Sequence, residues 1–244
     1  MNLKSSIALP PWTKLGKKLE SSCRKAIYDF KMIEDLPSIA VALSGGKDSL
    51  TLLYLLNAIR GKGLPLFTIH GIYVKNDFID DDDTFLKDIC NQIDVNLVIK
   101  KAQHLDKIDC YACSRIRRRI IFDTAKELNT NTIAFGHHKD DSIQTLLLNL
   151  LQKGEFEAIL PKIKMHDFDV TIIRPLHYIY EKDIINFAKT YNFYNKKHLC
   201  PLEKTSKRVV VAKIINDMEK EFPNTRNNLS IASLIYGSKK ALKK

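Results

Sequence analysis

Residues 38–56 read SIAVALSGGKDSLTLLYLL, and the fold turns on this stretch. Ile39 to Leu43 is a short, apolar, branched run of the kind a buried parallel strand requires. Ser44, Gly45 and Gly46 break the run. Leu50, Leu53, Tyr54 and Ala58 then recur at helical spacing, which predicts a helix starting inside the glycine turn. A strand, a glycine turn and a helix N-terminus together present backbone N–H groups and partial positive charge to an anion. Lys47 adds a full charge, and Ser44 and Ser49 add hydroxyls. Asp48 is the odd member: a carboxylate beside a phosphate needs a metal ion or another cation between them. A glycine turn with solvated charges would look the same locally, so the loop alone does not fix its ligand.

The spacing is not that of the Walker loop, since G-x-x-x-x-G-K-[ST] is absent. SGGKDS resembles instead the PP-loop of the N-type ATP pyrophosphatases, which implies a grip on the β,γ-pyrophosphate with the α-phosphorus open to attack.

Outward from this stretch, strands and helices alternate. Residues 1–12 read as a loose lead, followed by an amphipathic helix through Leu15, Leu19, Cys23, Ile27 and Phe30. Further strands are expected at Leu66–Val74, Val95–Ile99, Thr132–Phe135 and Val170–Ile173. An acidic run, Asp77 with Asp80 to Asp83, reads as a solvated helix start. Helices are expected through Phe85–Ile93, from about Ser114 to Leu128, through Ile143–Leu151 and over Glu181–Tyr191. After Asn192 come an amphipathic helix (Val209, Val210, Ala212, Ile214, Met218), a weaker one at Leu229–Tyr236 and a lysine-rich end. The pattern predicts an α/β fold with a doubly wound, Rossmann-like parallel sheet of about five strands. A helical lead (1–37), an α/β domain (38–191) and a C-terminal segment (192–244) are the expected divisions.

In such sheets ligands bind at the carboxyl edge. SGGKDS, CYACSRIRRR (110–119), GHHKDD (136–141) and RPL (174–176) each follow a strand and are expected on that one rim. Cys110 and Cys113 have C-x-x-C spacing, which suits a metal, an iron–sulfur cluster or a redox dithiol. Cys23 and Cys90 lie on apolar helix stripes, leaving Cys200 as the one further cysteine. Three thiolates fit a [4Fe–4S] cluster with one open iron, and three unrelated thiols remain the alternative. Arg117 falls within the arc of Ile116, Ile120, Thr124 and Leu128, and an inward arginine requires an anion, either a phosphate or an aspartate. Asp140 and Asp141 can cap a helix, hold Mg²⁺ or orient a nucleophile. His137 is the histidine retained as a nucleotide-site candidate.

The net charge of +11 points to a polyanionic partner, nucleic acid before membrane. Arg118, Arg119, Lys196, Lys197, Lys204 and Lys207 lie in basic runs suited to RNA, or simply to solubility. No apolar run reaches membrane-spanning length and MNLKSSIALPPW has no signal-peptide core, so a cytoplasmic protein is expected.

Taken together, DFKMIED, SGGKDS, CYACSRIRR, GHHKDDSIQTLLLN, IIRPLHYIYEKDI and Cys200 resemble the tRNA 2-thiocytidine synthetase family over roughly residues 15–235. The resemblance implies ATP bound at Ser44–Ser49, Mg²⁺, and a [4Fe–4S] cluster on Cys110, Cys113 and Cys200. It implies adenylation of the C2 oxygen of cytidine 32 in the tRNA anticodon loop, then displacement of AMP by sulfur derived from a cysteine desulfurase. Dimers occur in the family. A single-stranded anticodon loop suits a protein whose target base must be splayed into a pocket. Two other readings stand beside it. A lysidine synthase shares the loop but has no use for three cysteines, and a non-catalytic RNA-binding protein would turn over no ATP.

Overall fold

Ser38–Leu43 forms β1, apolar on both faces because helices cover it on both sides. Ile39, Val41 and Leu43 face one layer, and Ala40 and Ala42 face the other. The computed structural model describes residues 7–34, 36–75, 83–102, 110–193 and 207–236. In it β1 pairs in parallel with β2 (Thr68–Lys75) on one side and β4 (Thr132–Ala134) on the other. β3 (Asn96–Lys101) continues outward from β2, and β6 (Val170–Ile173) from β4, both parallel. β5 (Lys162–Met165) closes the far edge antiparallel to β6, giving the order β3-β2-β1-β4-β6-β5.

The doubly wound sheet is therefore present, with six strands rather than about five. The added strand is KIKM. Four residues are too few to show a period, and two lysines read as loop. The same lysines guard an edge strand against pairing with other chains.

One layer holds α1 (Lys14–Asp29), α2 (Lys47–Ile59), α3 (Thr84–Gln92) and α6 (Glu181–Thr190), whose apolar residues form one core with that sheet face. α2 is buried on nearly every side, as a helix wedged between a sheet and other helices must be. The opposite face is covered by α4 (Cys110–Glu127), through Ile121, Phe122 and Ala125. α5 (Lys139–Lys153) carries the two late helices, α7 (Lys207–Glu221) and α8 (Thr225–Ile235), with Ile143 and Leu147 packed on Val211 and Ile215.

Several local expectations are corrected. The lead is not loose where it is described: Ala8 and Trp12 are buried, and Trp12 meets Phe187 edge-on at 5.5 Å between centroids. α4 begins at Cys110 rather than near Ser114, so its cysteines sit on a helix and not in a loop. On α7 the buried pair is Val211 and Ile215, while Val209, Val210 and Ile214 are exposed. Among the described residues that helix packs chiefly on α5 and α8, so a narrow stripe suffices. Cys23 and Cys90 are core thiols as expected, and burial pushes them up to about 12 and about 11. Among the described residues no helix is long and apolar enough to cross a membrane.

Candidate active site at the β1–β4 crevice

The chain leaves β1 toward β2 on one side and reaches β4 on the other. This reversal opens a crevice between the carboxyl ends of β1 and β4. The glycine loop enters it from β1 and GHHKDD enters from β4. RPL follows β6, one strand further, while α4 starts beyond β3 at the opposite edge and crosses the sheet toward β4.

The glycine loop holds itself in shape. Gly45 takes φ +74°, which a side chain disfavours, and Gly46 is the N-cap of α2. The Ser49 hydroxyl donates to the Gly46 carbonyl at 3.0 Å and accepts from the Ser44 amide at 3.2 Å. The Ser44 hydroxyl lies 3.2 Å from that of Ser49 and accepts from the Gly46 amide at 3.3 Å. Lys47 Nζ is held at 3.0 Å from both Asp48 oxygens and from Glu181. Burial pulls the Lys47 pKa down, but Asp48 and Glu181 outweigh it and the net shift is upward. Burial raises the Asp48 pKa against the opposing pull of His138 and Lys47. A half-buried carboxylate that resists ionising is a group that favours a cation beside it.

Gly136 brings the second loop in. A Cβ there would stand 3.0 Å from the Asp48 carbonyl carbon and from the Ser49 amide nitrogen, backbone atoms that cannot swing away. The contact lets His138 reach the glycine loop. His138 caps α5: its Nδ1 accepts from the Asp141 amide at 3.4 Å while Asp141 accepts from the His138 amide at 3.0 Å. Nδ1 being the acceptor, Nε2 carries the hydrogen. It faces Asp141 at 3.4 Å and Asp48 at 3.8 Å. His138 thus sits between the two carboxylates that front the crevice. From sequence both histidines of GHHKDD are possible metal ligands and His137 is the one retained; the structure gives the place beside the glycine loop to His138.

The other candidates are distributed as follows. Asp140 is turned away from the crevice: one oxygen accepts from the Glu181 amide at 2.7 Å, and the other is paired with Arg226. Its position in the first turn of α5 places it under α6 and α8, so both lone-pair sets are occupied. His137 packs against Phe135, with centroids 5.8 Å apart. Burial, then Arg174, lowers its pKa to about 3, so the ring is neutral. Arg117 is half-buried on the flank of α4, not at the centre of its buried arc, which runs through Ile121, Phe122, Thr124 and Ala125. Arg118 is exposed on the other flank, yet it is the α4 guanidinium whose field reaches His137 and Arg174. Arg119 pairs with Asp123 at 2.9 Å and lies over the Phe168 ring at 5.0 Å. Lys207 is exposed at the start of α7; its neighbour Arg208, unnoticed in the sequence, stands 3.7 Å from Asp141. Asp83 bridges Lys75 and Lys87, whereas the rest of the acidic run lies outside the described residues.

Cys110 and Cys113 are i and i+3 in the first turn of α4, hence on one face, and Cys113 is half-buried. Cys200, Lys196, Lys197 and Lys204 lie outside the described residues. Among the described residues no three His, Cys, Asp or Glu side chains close on one metal position. A third thiolate from outside them is thus compatible with the pair, and Mg²⁺ in the crevice would complete its shell with phosphate oxygens and water.

A family model described as a PP-loop domain matches residues 15–196. A tRNA-cytidine(32) 2-sulfurtransferase of Coxiella burnetii is 37% identical over 226 residues, covering 88% of this chain and 88% of that one. The enzyme of the same name from Cupriavidus necator is 34% identical, covering 88% of this chain and 72% of its own length. Among solved structures, the U34-tRNA thiolase from Methanococcus maripaludis, which carries a [4Fe–4S] cluster, superposes with a TM-score of 0.72 at 24% identity over 89% of this chain and 77% of that chain. At that identity the likeness bears on the fold.

Proposed function

Since the chain belongs to the PP-loop family and, within it, to the tRNA-cytidine(32) 2-sulfurtransferases, we propose that it is an ATP-dependent enzyme replacing the C2 oxygen of cytidine 32 with sulfur. The observation that carries the reading is the close approach at Gly136, which joins the glycine loop, Asp48 included, to His138 and Asp141 in one crevice.

The Ser44–Ser49 loop and the start of α2 would take the β,γ-pyrophosphate, with Lys47 countering its charge. Asp48 and Asp141 would hold Mg²⁺ against the phosphates, with His138 lying between them and its amide donating to Asp141. With the pyrophosphate held, the α-phosphorus faces the crevice and an incoming base oxygen. The base must leave its stack to reach it. Arg117, half-buried on the flank of α4, would steady the charge that develops there. Asp140, expected to cap a helix, hold Mg²⁺ or orient a nucleophile, is better suited to positioning α5 against α6 and α8.

Cys110, Cys113 and Cys200 fit a [4Fe–4S] cluster, the first two by their shared face at a helix N-terminus. When bound, such a cluster supplies an iron with an open position for sulfur. We place residues 38–191 as the adenylating domain and 192–244 as the segment that returns the third cysteine. A cysteine desulfurase as sulfur source, a cytoplasmic location and a homodimer belong to the same reading.

The test is the fate of α-labelled ATP with tRNA and a sulfur source present. AMP and pyrophosphate are expected, with 2-thiocytidine in the digested tRNA. Label in ADP would refute the assignment, and lysine in place of sulfur would move it to a lysidine synthase.

A further inference from the structure

Two buried polar atoms at the ends of β4 and β6 lack partners among the described residues. Arg174 is the first residue after β6, and Ile173 pairs with Ala134, so Arg174 rises beside the loop that carries His137. One Arg174 nitrogen donates to the Leu160 carbonyl, but its buried Nε donor meets no acceptor among the described residues. His137 Nδ1 is buried and equally without a partner among them. The charged groups bearing on this pair are Arg118 from α4, Arg208 from α7 and Asp141 from α5. Among the described residues, the carboxylate bearing on His137 and Arg174 is Asp141. That carboxylate is already shared, since Asp141 accepts the His138 amide and stands 3.7 Å from Arg208. Burial, then Arg118, lowers the Arg174 pKa to about 10, which still leaves it charged at neutral pH. Unpaired buried polar atoms are costly in a core. Here they lie at the ligand-binding edge of the sheet, where an anion repays them.

We propose that Arg174, His137 and Arg118 form a second anion subsite, separate from the glycine loop, that grips an RNA phosphodiester beside the target nucleotide. The proposal rests on the RNA-adenylating reading of the crevice. Spacing favours RNA over the nucleotide as the source of the phosphate. β6 stands two strands from β1, about 10 Å at ordinary strand separation. The pyrophosphate end of ATP is committed to the loop after β1. A base attacking the α-phosphorus carries its own backbone phosphates further along the rim, toward β6. Arg118 is exposed, as suits a polymer arriving from solvent.

The experiment compares Arg174→Met, Arg174→Lys and Arg118→Ala with the wild type. Affinity for an unmodified tRNA transcript is followed across salt concentrations, and ATP affinity is measured without RNA. Losing one phosphate contact should flatten the log–log salt dependence by about 0.7 to 0.9. Arg174→Lys should recover part of that slope, and ATP affinity should stay within about twofold of wild type in all three. Lost ATP affinity with an unaltered tRNA salt slope would give the anion to the nucleotide and overturn the proposal. Unaltered slopes in both Arg174→Met and Arg118→Ala would overturn it too. Should Arg174→Met fail to fold by circular dichroism, exposed Arg118 decides alone. A wild-type protein that binds no tRNA would defeat the functional reading itself, an outcome distinct from variants that bind as well as wild type.

Discussion

Asp48 and Asp140 are both acidic residues near the crevice, yet the fold uses them oppositely. Burial raises the Asp48 pKa above its unfolded value, so the stability tied to its protonated form is present at low pH and lost as pH rises through the folded pKa. At neutral pH its charge burdens the fold. Asp48→Asn is therefore expected to melt at or above the wild-type temperature while ATP turnover disappears. Asp140 has an 8% exposed side chain, accepts the Glu181 amide and is paired with Arg226. Asp140→Ala strands both partners, a loss of about 3 kcal/mol, which in a domain of this size is a fall of roughly 6–12 °C in Tm. Thermal unfolding of the two variants separates the roles: equal melting temperatures would contradict the assignment. His177 supplies a pH signature. It is 2% exposed, and burial, then Arg174 and Lys139, lowers its pKa from 6.5 to about 4. Between these values the unfolded chain binds the proton more tightly, so stability falls on acidification through that window, by up to about 1.4 kcal/mol per pH unit. His177→Phe, placed against the rings of Phe30 and Tyr178, should shallow the drop in Tm from pH 7 to 4.5. A remaining slope is expected from His137, which titrates in the same window. An undiminished one would show that His177 is not the group titrating.

At the scale of elements, α4 carries the most exposed part of the functional reading. Its first turn holds Cys110 and Cys113 on one face, and a cluster would need Cys200 to return to them. Anaerobically reconstituted protein is expected to bind about four irons. Cys110→Ala, Cys113→Ala and Cys200→Ala should each lose iron and thiolation. Cys23→Ala and Cys90→Ala should keep both, since those thiols sit in the core. Iron retained in all three of the former variants would end the cluster assignment. The sequence is most legible where local chemistry and tertiary burial agree. β1, the glycine turn and α2 combine a fully apolar strand, two glycines and a helix wedged on all sides, and each signal points the same way. The Gly136–Asp48 approach was not legible, because the spacing of the two loops is set by strand order and strand order is not written locally. Arg174 appears only as a residue of RPL until β6 is placed beside β4. β5 escapes because an edge strand half in solvent shows no apolar run. On α4 the expected face is the packed one, with Phe122 and Ala125 added to it, whereas on α7 the buried face is not the expected one. An arc drawn on a wheel is rotated by what the helix packs against, and α7 packs chiefly on two helices rather than on a sheet.

Over the whole molecule the governing quantity is charge. A net charge of +11 on 244 residues favours solubility, but solubility does not require that sign. The placement narrows the meaning: Arg118, Arg174 and Arg208 reach the crevice from three different elements, while Lys207 is exposed at the start of α7 beside them. Several pairs elsewhere, such as Lys18 with Asp183 and Lys25 with Asp29, neutralise themselves on the surface. Part of the positive charge therefore lies on the side from which a polynucleotide would approach. Binding of that kind releases counterions, so log affinity for tRNA should fall linearly with log salt, with a slope proportional to the phosphates contacted. Substituting Glu for both Lys196 and Lys197 should weaken tRNA binding and leave ATP binding unchanged, because neither lysine belongs to the glycine loop. The same pair of measurements tests the alternative. If the lysines serve solubility alone, the salt response of tRNA binding will be as steep in the double variant as in the wild type, and the basic surface would then owe nothing to RNA.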